Sequence, residues 1–255
     1  MMFLFEIIIQ TLCWQEEMNK IGESVVEQTK TKGTVRELFL NRASRRGLLV
    51  TVMLIIVQQF SGMMAIEAYN EQIFDQSPGI SLSSSECAIA VGVIQIVAGS
   101  MSVTLVDKVG RRPLLMISTL GCGLFHAILG TYFYFHVNKY KMVGFEWLPL
   151  TCLVLFVTFF CLGLSPLPVL MLGEVFPSNV KDLAVSIGVF TTSMSFLVVT
   201  KVFQIMTDSI GTYSPFWLFS VVTVLGFLFV FFVVPETKGR RFETIIADLK
   251  RNDKP

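Results

Sequence analysis

The sequence predicts an all-α polytopic membrane protein with six transmembrane helices, and three observations carry that prediction. Of its 255 residues, 53% are hydrophobic, 15% are charged and 23 are Phe, a composition too apolar for a soluble domain. Six apolar runs each reach the roughly 20 residues that a helix needs to cross the hydrocarbon. The runs are continuously apolar rather than alternating, so helices rather than barrel strands are the spanning structure that satisfies the backbone.

In chain order, Met1 to Trp14 is apolar but interrupted by Glu6. It is too short to span and lacks the basic leader and cleavage site of a signal peptide, so it reads as a stray or interfacial segment. From Gln15 to Arg46 the chain is polar and charged, with Ile21, Val25 and Leu38 at near-helical spacing, the pattern of amphipathic helices lying under a bundle. Residues 1–46 are therefore expected to form a cytoplasmic linker segment, 47–235 the six-helix unit and 236–255 a cytoplasmic tail.

The first span, Leu48 to Ala68, carries Gln58 and Gln59 near its middle, where an amide needs a partner in a protein interior or a water-filled cavity. The second, Ala88 to Val106, repeats that feature with Gln95. Amides both donate and accept, which suits a polyhydroxylated solute better than a bare ion; their other role is to bond helix to helix. The third span, Leu114 to Phe135, contains His126, and a lone His there is more often a packing residue than a proton relay.

The fourth span, Leu148 to Leu172, contains Gly163-Leu164-Ser165-Pro166-Leu167-Pro168. Two prolines remove backbone donors and force a kink or break, either static or a hinge. In the fifth span, Leu183 to Phe203, the hydroxyls of Thr191, Thr192, Ser193 and Ser195 are expected to bond to their own helix. The sixth, Phe216 to Val234, is uninterrupted. No Asp, Glu or Arg falls at the centre of any span, and no ladder of arginines suggests a voltage sensor.

Lys and Arg set the orientation. Lys20 to Arg46, Lys108 to Arg112, Lys181 and Lys238 to Lys254 share one side, against Lys139, Lys141 and Lys201 on the other. The positive-inside rule puts both termini in the cytoplasm and the Asn70 to Cys87 loop outside. A net charge of +1 offers no field for nucleic acid, and no phosphate loop or clustered metal ligands appear, so neither a cofactor nor a metal is expected. Cys13, Cys87, Cys122, Cys152 and Cys161 are odd in number and do not make a disulfide framework.

Four motifs stand in order: Gln58-Gln59-Phe60-Ser61-Gly62, Asp107-Lys108-Val109-Gly110-Arg111-Arg112-Pro113, Gly173-Glu174-Val175-Phe176-Pro177 with Lys181, and Pro235-Glu236-Thr237-Lys238-Gly239-Arg240. Together these resemble the carboxyl-terminal half of the sugar porter family of the major facilitator superfamily, and most of all its facilitated trehalose transporters. The resemblance covers about Gln15 to Lys250. It implies one half of a major facilitator fold, a plasma-membrane location and facilitative transport of a sugar, trehalose or a hexose, by alternating access, with no covalent chemistry and hence no enzyme.

By that resemblance Gln58, Gln59 and Gln95 face the sugar and Tyr69 belongs to an outer gate. Asp107, Arg111, Arg112, Glu174, Lys181, Glu236, Lys238 and Arg240 form a cytoplasmic charge network that switches between states, while Pro166 and Pro168 supply a hinge. The chain departs from the family at Met64, Val169 and Thr192-Ser193, where the family usually has Asn, Trp and Asn-Trp. Sugar porters have twelve spans, so the amino-terminal half would belong to a longer chain or to a partner transporter chain. The rival expectation is a non-transporting sensor or an interaction partner of full-length sugar transporters.

Overall fold

The computed structural model describes residues 35–40, 42–75, 84–140, 144–145, 147–176 and 178–234, and these form helices joined by short turns. Six candidate membrane spans result: Ser44–Tyr69, Ile89–Val106, Arg111–Val137, Leu148–Val175, Asn179–Ser209 and Ser214–Val233. Each coincides with an expected apolar run to within a few residues, because the hydrocarbon thickness fixes how much chain must be both helical and apolar. Of the linker, a short helix α1 (Val35–Leu40) is described, with Leu38 fully buried and Leu40 exposed. The remainder of residues 1–34, including Met1 to Trp14, and the tail from residue 235 lie outside the described residues.

The first span consists of α2 (Arg42–Gln59) and α3 (Met63–Asp75). Helix α3 continues into the stretch expected as a loop, and α4 (Ser84–Val109) begins before that stretch ends, so less of Asn70 to Cys87 is irregular than expected. The third span, α5 (Arg111–Val137), follows α4 after one residue, Gly110, whose φ of 103° favours glycine. The expected loop between the second and third spans is thus a single-residue corner. Pro113 sits in the first turn of α5, where its missing N–H costs no helical bond.

The fourth span is built from α6 (Leu148–Phe159), a π-helical turn (Phe160–Leu164) and α7 (Leu167–Val175). The fifth is α8 (Ser178–Ser209), the sixth α9 (Ser214–Val233). The first, third and fourth spans make the interior, with Leu54, Ile55, Phe133, Phe156, Phe216 and Phe219 fully buried around them. The second and fifth bury only 22% of their apolar windows and present rows such as Val93, Ile96, Val97, Val189, Phe190 and Leu197 outward. Apolar side chains turned away from the bundle are at no disadvantage beside lipid tails.

Candidate functional site

Two spans are broken, and the breaks meet. In the first span, Ser61 and Gly62 close a turn onto the Gln58 and Gln59 carbonyls, with N···O distances of 3.4 and 3.2 Å, and the helix restarts with Ile66 N–H donating to Gly62 O at 2.9 Å. Gly62 has a φ of 86°, and a Cβ there would lie 2.2 Å from the Phe219 ring, so both conformation and packing demand glycine. The apolar run alone gives no expectation of a break here. A Ser-Gly pair inside an apolar helix was the available signal.

In the fourth span the break falls where the prolines predict it, and neighbours satisfy the freed backbone. Ser165 N–H donates to Phe160 O at 2.9 Å, the five-residue spacing of a π turn. Pro166 has no N–H for Leu162 O, which instead accepts the Ser102 hydroxyl of the second span at 2.9 Å. The Ser118 hydroxyl of the third span accepts Leu164 N–H at 2.9 Å and donates to Phe159 O at 2.7 Å. Gln58 Nε2 donates to Ser165 O at 2.9 Å, joining the two breaks. Pro168 lies in the first turn of α7, where proline is tolerated.

Beside the break lies a partly open cavity of about 310 Å³, lined in part by Gln95, Ser102, Cys161, Ser165 and Pro166. Of the expected site residues, Gln95 and Pro166 therefore line one cavity, and Gln58 is tied to its wall through Ser165. Gln59 is 4% exposed, and its Oε1 is buried with no hydrogen-bond partner. Tyr69 stands apart from these: its ring stacks on Phe203 at 5.0 Å and its hydroxyl reaches Gln204 Oε1 at 3.4 Å, joining the first span to the fifth. Backbone angles at Tyr69 (φ −117°, ψ 18°) interrupt α3 at this contact. Glu67, not singled out from sequence, accepts Gln95 Nε2 at 3.0 Å.

His126 is a packing residue. It is buried, its Nδ1 donates to Cys122 O at 2.9 Å, and its ring lies 4.2 Å from Phe156 and 5.8 Å from Phe219. The hydroxyls of Thr191, Thr192 and Ser193 donate to carbonyls four residues back on α8, at 2.8 to 3.1 Å, as their placement predicts. At the other positions that depart from the family, Met64 is half-buried and Val169 is 63% exposed.

The family model described as "Sugar (and other) transporter" matches residues 10–249. The chain belongs to that family. Among relatives of this chain, a facilitated trehalose transporter Tret1-2 homolog of Drosophila sechellia is 36% identical over 224 residues, 88% of this chain and 46% of the relative. Facilitated trehalose transporter Tret1 of Anopheles gambiae is 40% identical over 207 residues, 81% of this chain and 26% of the relative. The six helices superimpose on a double Trp mutant of XylE with a TM-score of 0.75 at 26% identity, covering 92% of this chain and 48% of that one. An inward-open xylose transporter XylE from E. coli gives 0.67 at 28% identity, with 79% and 41% covered. The chain spans about half the length, or less, of the relatives it matches, and its described helices are one six-helix half of the major facilitator fold.

At the basic end of the helix bundle, Arg111 and Glu174 form an ion pair of 2.7 Å between the third and fourth spans, with side chains 14% and 29% exposed. Arg112 takes a different partner, donating to Phe231 O of the sixth span, with its guanidinium 6.0 Å from that residue's ring. Lys181 is exposed on α8 and reaches toward Gly173. The side chain of Asp107 and all of Glu236, Lys238 and Arg240 lie outside the described residues.

Proposed function

We propose that the protein moves a sugar, trehalose or a hexose, across the plasma membrane down its gradient by alternating access, this chain supplying one six-helix half. The observation that carries the reading is the meeting of two broken spans beside a cavity lined by Gln95, Ser102 and Ser165. Broken helices place irregular, hydrogen-bonding backbone where it lines a cavity, and such breaks absorb the bending that opens a path to either side. Family membership and trehalose transporters among the relatives support the sugar class. Gln58, Gln59 and Gln95 would hold the solute, Tyr69 would close one end, and Pro166 and Pro168 would bend.

At the basic end, Arg111–Glu174 and the neighbouring charges would hold one of the two states. That end faces the cytoplasm in this reading, since the positive charges collect there. The other half would come from a longer chain or from a pairing transporter chain. Radiolabelled trehalose flux into vesicles containing the full-length protein tests the proposal. Saturable uptake supports it; uptake equal to protein-free vesicles overturns it, and solute binding without flux would assign the chain to a sensor or an interaction partner instead.

A further inference from the structure

Glu67 lies inside the first candidate span, two residues before the bend at Tyr69. A carboxylate in a membrane span is costly, and where one is kept it faces protein or a water-filled path. Glu174, another acidic residue within the described spans, is balanced by Arg111. Glu67 is different: it is exposed, and the donor it holds at 3.0 Å is the neutral amide of Gln95, a residue of the cavity wall. An ionised carboxylate only accepts and has about four lone-pair sites. Gln95 Nε2 fills one of these sites and, being neutral, brings no opposite charge.

We propose that Glu67 is a specificity-determining residue of the solute path, whose carboxylate, oriented by Gln95, takes hydrogen-bond donors of the solute and favours a protonated amino sugar over the neutral sugar of the same shape. The inference rests on the reading of the chain as part of a sugar transporter. Chemically, hydrogen bonds to an ionised acceptor are roughly twice as strong as those between neutral groups, and an ammonium donor adds charge attraction. Gln95, which lines the cavity, is left with its Oε1 and one N–H, and the Glu67 carboxylate that it holds adds further acceptors beside that wall. A solute hydroxyl that has been removed or methylated could not fill the carboxylate's remaining positions.

The test is thermal stabilisation of the full chain by D-glucosamine and by D-glucose, in the native form and in Glu67→Gln and Glu67→Asp. Glu67→Gln keeps an acceptor for Gln95 and removes only the charge, so the fold is retained. In the native chain, half-maximal stabilisation should need about fivefold less glucosamine than glucose. Glu67→Gln should bring that ratio to about one, and Glu67→Asp should keep most of it. A ratio unchanged in Glu67→Gln, or a ratio of one in the native chain, overturns the inference. Trehalose flux measured on the same proteins separates the two readings: flux with no amino-sugar preference sinks the role of Glu67 alone, while a charge-dependent preference without flux keeps Glu67 and removes transport. Absence of stabilisation by either sugar overturns the inference outright.

Discussion

Leu164 of the fourth span donates its backbone N–H to the Ser118 hydroxyl of the third at 2.9 Å, and that hydroxyl passes its own hydrogen to Phe159 O at 2.7 Å. A side chain from a neighbouring helix thus stands inside the hydrogen-bond ladder that the prolines and the π turn interrupt. Such insertion is a recognised cause of a helix break. It also fixes where this break sits, because Ser118 is fully buried and each of these two bonds is made to a backbone group.

Ser118→Ala should therefore destabilise the protein by about 1–3 kcal/mol, the cost of leaving buried backbone groups without partners. Thermal unfolding in detergent should show a melting temperature several degrees lower. Ser102→Ala, which frees Leu162 O alone, should cost less. Equal stability of Ser118→Ala and the native protein would show that the ladder closes without the hydroxyl.

Gly163→Ala acts on the same contact from the other side. A Cβ there would lie 2.7 Å from Leu114 O and 2.8 Å from Ser118 Cβ, so the third and fourth spans must separate. Overpacking of this kind costs about 1–3 kcal/mol. Combined with Ser118→Ala, the loss should be smaller than the sum, since both substitutions disturb one contact; a double-mutant cycle on unfolding midpoints reads that coupling.

The six spans and the proline break were legible in the sequence because each depends on local chemistry: about 20 apolar residues to cross lipid, and a missing N–H at Pro166 and Pro168. The partners of the break were not. Ser102 and Ser118 look like ordinary helix serines until the fold brings them to Leu162 and Leu164, and no spacing along one helix reveals a bond to another. Gln58 was found for its cost in a membrane, while its actual acceptor, Ser165 O, is 107 residues away. Glu67 was missed because it lies toward a span end, where a charge raises no alarm by position alone.

Gln59→Leu should lower uptake without lowering stability. Its Oε1 is buried without a hydrogen-bond partner, and such an acceptor costs about 1–3 kcal/mol relative to an apolar group. Leu removes that penalty, so the melting temperature should hold or rise. If Gln59 bonds the solute, trehalose uptake should fall several-fold at unchanged surface expression. Unchanged uptake would remove Gln59 from the solute path.

Arg111 and Glu174 offer a test of the charge network at the basic end. Their 2.7 Å contact joins the third span to the fourth within the last turn of α7, with both side chains less than a third exposed. Exposed ion pairs contribute about 0–1 kcal/mol, and burial of this degree places the pair toward the upper end of that range. The Arg111→Ala, Glu174→Ala and double substitutions should therefore give a coupling of roughly 1 kcal/mol in a thermodynamic cycle. Raising ionic strength should reduce it. Arg111→Lys keeps the charge but loses the planar fork, so it should recover only part of the coupling. If the pair also holds one transport state, each single substitution should alter the ratio of inward to outward trehalose flux more than total expression. A coupling near zero together with an unaltered flux ratio would reduce the pair to solvated surface charge.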